Sequence, residues 1–446
     1  MPGPIDDRAS AASPVLIRSI GPFQLTFYAL GSMLGAGIYG LLGQAAGQVG
    51  AAIWLSFLVA LVAALLTALS YASLGSRYPR AGGAAYVTQR AFGSSLLSFT
   101  VGLALVCSGL TSVATQSRVF AVNIAALTGF DVLPAEGVAL GFILLMTAIV
   151  FRGIRESMWV NVLCTLIEAA GLLLVITFGM SYWGSVDYFE IPPEKADTGL
   201  ALLVIQGTAL TFFAFIGFED AINVAEECKT PERTIPFGLI AAALIAAVLY
   251  IAVAITAVSV VPWRDLAASP SPLTEVMRRA APDFPSAIMT AITMFSVGNT
   301  ALVNYITSSR LIYGMSRQNL LPEALGRVHE TRRTPHIAVL ALLAVLIPLA
   351  LYGSIKDLAS ATVLLLLFVF MIVNGALYVL KGRTGEPPGR FEIPRAVPLA
   401  GLIVCAGLIL VRVSSSDWAA PALAIGLLAA ILVLYAVLRP KVEAEA

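Results

Sequence analysis

The stretch Gly31-Ser-Met-Leu-Gly-Ala-Gly-Ile-Tyr-Gly40 lies in the middle of the first long apolar segment of the chain. Glycines occupy positions 31, 35, 37, 40 and 43. Each glycine inside a helix costs about 0.8–1 kcal/mol relative to alanine, and backbone released from a helix inside a membrane must find a partner or line a wet cavity. The stretch therefore predicts one of two arrangements. Either a second helix packs closely here, as the GxxxG spacing of Gly31 and Gly35 also indicates, or the helix is broken and its free N–H groups bind a ligand.

The composition is typical of a polytopic membrane protein. Of the 446 residues, 59% are hydrophobic and 12% are charged, against roughly 25% charged residues in soluble domains. Four widely separated cysteines and two histidines in one polar connection show no disulfide or metal-ligand spacing. We therefore expect no metal centre, no cofactor and no enzymatic activity. The N-terminus has no apolar region followed by a cleavage site, so we expect no removable signal peptide.

Stretches of about 20 apolar residues predict transmembrane helices. Twelve are predicted, at 22–43, 51–73, 95–125, 135–151, 158–182, 199–226, 236–261, 286–315, 335–353, 358–380, 396–412 and 418–438. If the N-terminus is inside, 20 of the 27 lysines and arginines fall in connections on the cytoplasmic side. The positive-inside rule then predicts a multi-pass protein of the cell (inner) membrane, with the tails 1–20 and 439–446 both cytoplasmic.

A second glycine-containing interruption lies in the sixth segment, at Phe212-Phe-Ala-Phe-Ile-Gly-Phe-Glu-Asp-Ala221. Ionisable groups inside an apolar run are costly and usually functional, which marks the adjacent pair Glu219 and Asp220. Two interrupted segments at corresponding positions of two halves are typical of an inverted-repeat transporter. The predicted repeats are 21–182 (spans 1–5) and 199–381 (spans 6–10), and spans 11 and 12 follow at 394–438.

If the interruptions of the first and sixth segments face each other, their backbone groups can bind a ligand between them. A half-helix that begins at mid-membrane presents free N–H groups and a positive dipole end, which favour a carboxylate. The carbonyl groups that end the preceding half-helix favour an ammonium group or a cation. A free amino acid carries both groups on one carbon, so the breaks predict a backbone site for an amino-acid head group.

Four motifs occur together over most of 20–340. They are Gly35-Ala-Gly-Ile-Tyr-Gly40, the stretch Phe212–Glu219 running on to Ala225-Glu-Glu-Cys-Lys-Thr-Pro-Glu-Arg-Thr-Ile-Pro236, Tyr78-Pro-Arg-Ala-Gly-Gly83 with Tyr86, and Ser309-Arg-Leu-Ile-Tyr-Gly-Met-Ser-Arg-Gln-Asn-Leu-Leu-Pro322. Together they resemble the amino acid–polyamine–organocation (APC) superfamily of permeases. The resemblance implies an all-α integral membrane protein with the LeuT-type fold. Its features would be 12 transmembrane helices, a 5+5 inverted repeat, discontinuous spans 1 and 6, and two additional helices.

The resemblance also implies a substrate site. The backbone amides at Gly35, Ala36, Gly37 and Ile38 would bind the substrate carboxylate. The backbone carbonyls of Ala214, Phe215 and Ile216 would bind its amine, with Phe215 also acting as a lid. Side chains of the pocket would be Asn304, Cys107 and Ser108, where Asn304 falls at the position of a substrate-packing tryptophan in the arginine/agmatine exchanger.

Two acids are candidates for coupling to an ion gradient. Glu219 matches a glutamate that is linked to proton-dependent behaviour in that exchanger, although a structural hydrogen bond to nearby backbone is the alternative. Glu168, in Asn161-x-x-x-Thr165-x-x-Glu168, stands where many members carry a lysine in place of sodium, so it is either a coupling group or a structural acid.

Three further side chains are secondary candidates for coupling. Asp220 projects about 100° away from Glu219 if both are helical, so the two acids need not share a cavity. Ser308 and Ser309 either bind a cation with Glu168 or hydrogen-bond along their own helix.

The sequence thus predicts a secondary active amino acid transporter that works by alternating access, with proton-coupled symport of small or neutral amino acids. Sodium is the alternative coupling ion. An exchanger of amines or cationic amino acids, using Glu219 or Asp220 to pair the extra charge, is the alternative transporter. A non-transporting amino acid sensor is a more remote alternative, against which the short predicted tails argue. The expected partners are a small amino acid and the lipid bilayer, with no nucleic acid and no required protein partner.

Overall fold

The computed structural model describes residues 18–80, 83–128, 134–269, 271–352, 355–413 and 419–440. Within these ranges the chain is helical, with short 3₁₀ turns and a single isolated β-bridge. The α-helices are α1 (Pro22–Met33), α2 (Ala36–Val49), α3 (Ile53–Arg77), α4 (Gly83–Phe92), α5 (Ser95–Thr128), α6 (Ala135–Arg152), α7 (Ile154–Gly179), α8 (Leu200–Thr211), α9 (Asp220–Asn223), α10 (Pro231–Val260), α11 (Trp263–Ala268), α12 (Pro272–Ala280), α13 (Ser286–Arg317), α14 (His336–Tyr352), α15 (Ile355–Leu380), α16 (Ala396–Val413) and α17 (Ala419–Leu438).

The helices are those of a multi-pass membrane protein. Eight helical stretches of the described ranges are long and apolar enough to cross a bilayer. Three shorter apolar helices accompany them, at His336–Leu351, Ala396–Val411 and Ala424–Leu438. The first predicted span is divided between α1 and α2, which have 12 and 14 residues and are each too short to cross alone.

Small side chains allow the central helices to approach one another closely. α3 packs along α10, and α5 packs along α13. On α3, Ala60, Ala64 and Ala68 are fully buried at four-residue spacing, and α10 presents Ala242 and Ala246 in the same way. Small residues at this spacing are the usual basis of helix association in membranes, because they allow extensive van der Waals contact between backbones.

Three short helices of the described ranges, α4, α11 and α12, lie outside the predicted spans. The stretch from Leu273 to Ala281, which is bounded by prolines and which the sequence predicts to be helical, is present as α12, and α11 precedes it. α4 and α11, with 10 and 6 residues, were not predicted because a search for 20-residue apolar stretches does not detect short helices. α11 packs on α2 and α12 packs on α7, so this connection covers one end of the broken first segment.

Candidate functional site

The first break separates α1 from α2. α1 ends at Met33, and Gly35 is the N-cap of α2 with ψ of −149°. No side chain caps this end of α2. The first N–H groups of a helix have no partner within the helix, so the amides of Ala36, Gly37 and Ile38 form an uncapped, electropositive helix terminus.

The glycine stretch also allows close packing. A Cβ atom at Gly37 would lie 2.7 Å from the Cα of Ala214, a separation that real Cβ contacts do not reach. The start of α2 is therefore packed directly against the second interrupted segment. The two arrangements predicted for this stretch, a broken helix and a close helix contact, occur together.

The second break follows α8. A 3₁₀ turn spans Phe212–Phe215, the chain is non-helical through Glu219, and α9 then begins at Asp220. Gly217 has φ of +125°, a conformation that side chains strongly disfavour. A Cβ there would also lie 2.6 Å from Ser32 Oγ. Glycine is thus required at this position by its dihedral angle and by the proximity of α1.

Both breaks open onto one cavity of about 60 Å³. Its walls are completed by α5, α13 and α15. The residues that line it are Ser32, Met33, Gly35, Gly37, Leu105, Ser108, Gly109, Ser112, Gln116, Phe213, Ile216, Gly217, Glu219, Asp220, Thr300, Asn304, Thr307, Ser308, Thr362 and Leu366.

Many of the predicted site residues meet at this cavity and several do not. The predicted residues that line it are Gly35, Gly37, Ile216, Asn304, Ser108, Glu219, Asp220 and Ser308. The predicted residues that do not line it are Ile38, Ala214, Phe215, Cys107, Glu168 and Ser309, and the side chain of Ala36 lies outside the described part of the structure. Cys107 instead packs, half-buried, against the hydrophobic core.

Phe215, predicted as a lid, packs away from the cavity in this conformation. Its ring lies edge-on to Tyr250 and Phe57, with centroid separations of 5.2 and 6.5 Å. In a 3₁₀ turn, residues three apart share a face. Phe212 and Phe215 therefore both face the core, while Phe213 and Ile216 both line the cavity.

The Tyr250 hydroxyl connects the two breaks. Its oxygen lies 2.5 Å from the carbonyl oxygen of Met33 and 2.9 Å from that of Ala214, and its single proton is shared between these two acceptors. These carbonyls belong to the last residue of α1 and to the 3₁₀ turn that follows α8. The predicted amine ligand Ala214 O therefore already has a hydrogen-bond donor in this conformation.

Glu219 and Asp220 lie together at the cavity. Their residues are 3% and 6% exposed. The Gly217 N–H donates to Glu219 Oε2 at 2.8 Å, and Ser32 Oγ donates to Asp220 Oδ2 at 2.6 Å. Glu219 has helical dihedral angles, with φ of −62° and ψ of −23°, and Asp220 follows it in α9. Both residues nevertheless line the cavity, so an angular offset between them does not keep them apart. Among the described lining residues there is no lysine, arginine or histidine to pair these acids.

Glu168 lies outside the cavity in a buried polar cluster between α7 and α13. Asn161 Nδ2 donates to Asn299 Oδ1 at 2.7 Å, and Asn299 Nδ2 donates to Thr165 Oγ1 at 2.9 Å. Thr165 Oγ1 also donates to the carbonyl of Phe27 on α1, at 3.2 Å. Glu168 is fully buried, and neither of its carboxyl oxygens has a hydrogen-bond partner among the described residues.

A buried ion pair lies beyond the acid pair along α13; for Glu227 the sequence left open either such a pair with an arginine of the inner connections or a solvated helix end. Arg310 Nη2 and Glu227 Oε1 are 3.3 Å apart, and both side chains are 0% exposed. Arg310 Nη1 also donates to Ser309 Oγ at 2.9 Å, and Ser309 Oγ donates to Ile306 O. Ser309 thus makes the hydrogen bond within its own helix that was one of its two predicted roles.

The same region fastens the first described residues to the segment after α9. The amides of Ser19 and Ile20 both donate to Glu227 O at 2.9 Å, and Lys229 N donates to Ile20 O at 2.9 Å. Together with the Arg310–Glu227 pair, these bonds close the protein between the cavity and this end of the bundle.

A comparison with known protein families decides the classification. The family model described as amino acid permease matches residues 20–438. The chain belongs to the amino acid permease family. Its resemblance to APC permeases, inferred from four short motifs, is thereby confirmed.

Curated relatives of this permease are transporters. It is 28% identical over 427 residues to the branched-chain amino acid permease BcaP of Bacillus subtilis, covering 90% of this chain and 89% of the relative. It is 30% identical over 419 residues to the methylthioribose transporter of the same organism, covering 89% of each. It is also 30% identical over 403 residues to cationic amino acid transporter 4 of Homo sapiens, covering 86% of this chain and 63% of the relative. Family and relatives support an amino acid transporter.

Proposed function

We propose that this permease is a secondary active transporter that carries small neutral amino acids together with protons by alternating access. The observation that carries the proposal is the cavity between the two chain breaks. The uncapped N-terminus of α2 opens onto it through Gly35 and Gly37, and the second break opens onto it through Ile216 and Gly217.

The two breaks supply opposite electrostatic partners for an amino-acid head group. The carboxylate would accept hydrogen bonds from the amides at Gly35–Ile38. The ammonium group would donate to the carbonyls of 214–216, of which that of Ile216 belongs to a residue that lines the cavity in this conformation. The Ala214 oxygen, which already accepts from Tyr250, keeps a second lone pair.

The size of the cavity supports a small substrate. One water molecule needs about 10–15 Å³ of cavity volume. The cavity of about 60 Å³ therefore holds on the order of five groups of the size of a water molecule. Alanine and serine have six and seven non-hydrogen atoms, so the cavity in this conformation favours amino acids of that size over long or aromatic ones.

Proton coupling is proposed from the three buried acids. A carboxylate enclosed without a partner costs several kcal/mol, and Glu168 has no partner among the described residues. Glu219 and Asp220 share the cavity with no basic side chain in the described lining. Burial of Glu168, and burial of the pair Glu219 and Asp220, both cost less free energy when a bound proton neutralises the carboxylate. A sodium ion is the alternative. We therefore assign H⁺ as the coupling ion, with no other cofactor.

The architecture proposed for this cycle is the LeuT-type fold. Spans 1–5 and 6–10 would form the inverted repeats 21–182 and 199–381, with spans 11 and 12 at 394–438, in the cell membrane with both termini cytoplasmic. The Glu227–Arg310 closure would then lie on the cytoplasmic side of the cavity, and this conformation would be closed inward. The protein would act as a carrier and not as an enzyme, and would need no protein partner.

Uptake of labelled alanine and serine into proteoliposomes tests the proposal. An inward proton gradient should accelerate uptake, and an inside-negative potential should accelerate it further, because symport of a neutral amino acid with H⁺ moves one positive charge. Acceleration by a sodium gradient without any response to pH would refute proton coupling.

Two substitutions separate coupling from structural roles. Glu168→Gln and Glu219→Gln should each flatten the pH dependence of uptake, because glutamine cannot take up a proton. Glu136→Gln, at an exposed acid at the start of α6, is the matched control and should keep the wild-type profile. Wild-type profiles in both buried variants would leave those acids structural.

An exchanger of amines or cationic amino acids is the second candidate. It is favoured by the adjacent acids Glu219 and Asp220 at the cavity and by the similarity to cationic amino acid transporter 4. Arginine or putrescine competing better than alanine for uptake, and driving counterflow, would establish it. Methylthioribose belongs in the same competition series because of the relative that is named for it. Binding of alanine without flux of any of these compounds would instead identify a sensor.

A further inference from the structure

The α5 wall of the cavity carries a buried amide that the proposed transport cycle does not use. Gln116 lies eight residues after Ser108 and four after Ser112, so the three share one face of the helix, and all three line the cavity. Gln116 is 4% exposed, and its Oε1 atom has no hydrogen-bond partner among the described residues.

A second unpartnered polar group lies on the opposite helix. Thr300 of α13 is 7% exposed and also lines the cavity, and its hydroxyl has no partner within the described part of the chain. Buried polar groups are normally hydrogen-bonded. Two that are not, on different helices but at one cavity, indicate that a ligand supplies their partners.

The location of Gln116 assigns it to the substrate side chain, whereas Thr300 lies at the first break, where its Oγ1 atom stands in the space that a Cβ of Gly35 would take. The head group is proposed to bind at the two breaks, which leaves the wall formed by α5 and α15 for the rest of the molecule. Besides Gln116, this wall presents Ser112, Thr362, Leu105 and Leu366. It has hydrogen-bonding capacity but no ionisable side chain.

We propose that Gln116 determines specificity, and that its amide selects amino acids whose side chain carries a hydroxyl or carboxamide group. The inference rests on the proposed function and adds the class of substrate. An amide both donates and accepts hydrogen bonds, so it suits either group. An apolar side chain would occupy the same space and leave the amide unpaired, which is how a site built to bind a hydroxyl discriminates against its methyl analogue.

The test uses two pairs of amino acids in which only one member carries a side-chain hydroxyl. Serine exceeds alanine by one hydroxyl, and threonine and valine differ by a hydroxyl in place of a methyl group. Initial uptake rates of all four are measured with the full-length permease in proteoliposomes. We expect serine over alanine, and threonine over valine, each by about tenfold in rate at low concentration, the ratio typical of one hydrogen bond.

Gln116→Met preserves length and approximate volume but removes the amide. It should bring both ratios to about one, by slowing serine and threonine while leaving alanine uptake intact, which also shows that the variant is folded. The control is Gln89→Met on α4, because the Gln89 Oε1 atom is likewise buried without a partner but the residue does not line the cavity. The control should keep the wild-type ratios.

Ratios near one in the wild type, or wild-type ratios retained in Gln116→Met, would overturn this inference and leave amino acid transport standing. If the wild type takes up none of the four amino acids, the proposed function itself fails, and the inference fails with it.

Discussion

The Arg310–Glu227 pair offers a sharp test of how this end of the molecule is held closed. Both side chains are fully buried and joined at 3.3 Å. Replacing Glu227 with glutamine preserves its shape but leaves a buried guanidinium without a counter-charge. Removing one partner of a buried pair costs about 3–5 kcal/mol. Glu227 Oε2 and Arg310 Nε have no partners in the described structure, so the pair is incompletely satisfied and we expect about 3 kcal/mol.

Removing the charge of Arg310 alone should lower the free energy of unfolding as much as removing that of Glu227. Removing both charges together should not. Arg310→Met leaves an uncompensated carboxylate and should also cost about 3 kcal/mol. Glu227→Met with Arg310→Met removes both charges, and replacement of a buried pair by apolar side chains is often neutral or stabilising. The double variant should therefore be more stable than either single variant.

Reversible unfolding in mixed micelles of increasing dodecyl sulfate content measures these free energies. The exposed pair Glu232–Arg390, at 2.8 Å with side chains 50% and 59% exposed, supplies the control. Glu232→Gln should cost no more than about 1 kcal/mol, as is usual for surface ion pairs. If the double variant loses the sum of the two single losses, about 6 kcal/mol, the side chains act independently and the reasoning is refuted.

Three further substitutions test other contacts. Gly217→Ala places a Cβ 2.6 Å from Ser32 Oγ at φ of +125°. It should lower the free energy of unfolding by about 1–3 kcal/mol and abolish uptake. Tyr250→Phe removes the hydroxyl donor of two buried carbonyls, and should cost about 1–3 kcal/mol in the same unfolding titration. Burial raises the pKa of Glu392, but hydrogen bonds from Arg77 and from a lysine and a backbone amide outweigh it and lower that pKa from 4.5 to about 2. Its stabilising contribution should be complete above pH 4.5 and be lost as the pH falls toward 2, so unfolding midpoints at pH 7 and pH 3 should differ less in Glu392→Gln than in the wild type.

Each of these substitutions has a control in the chain. Gly426→Ala adds a Cβ with no atom within 4 Å and should be neutral. Tyr182→Phe alters a tyrosine that is 39% exposed and should leave the unfolding midpoint unchanged. Full stability of Gly217→Ala or Tyr250→Phe would contradict the contacts described at the breaks, and equal pH dependence of Glu392→Gln and wild type would contradict the role of Glu392.

The positions of the chain breaks could be predicted from sequence because glycine has a strong local effect. The helix ends at Met33, within the predicted stretch, and the second interruption falls at the predicted Ile216 and Gly217. In both cases the signal is a residue type that weakens a helix wherever it occurs. No knowledge of tertiary packing is needed to read it.

The directions of side chains around the breaks could not be predicted, because they depend on local dihedral angles. A helical offset of about 100° between Glu219 and Asp220 was expected to leave them free to face different cavities, yet both line the same one. Phe215 was predicted at the cavity, but Phe213 lies there instead, because Phe212–Phe215 is a 3₁₀ helix with three residues per turn and not an α-helix with 3.6. The Arg310–Glu227 pair joins residues 83 positions apart, and no local pattern specifies such a contact. Gln116 did have a local signal, a polar residue continuing the face of Ser108 and Ser112, and it was missed.

The bridging hydroxyl of Tyr250 has a consequence for the unloaded carrier. A symporter that accumulates its substrate must return across the membrane empty, and an empty site buries whatever polar groups it uses for binding. Carbonyl groups that are buried without a hydrogen-bond donor in the empty carrier would raise the free-energy barrier to its return across the membrane. Here one phenol, held on α10, lies within hydrogen-bond distance of a carbonyl of each interrupted segment and shares its proton between them. In the proposed cycle this hydroxyl would take the place of the substrate ammonium group at these carbonyls, and it would keep the two interrupted segments joined to each other in the half of the cycle that carries no substrate.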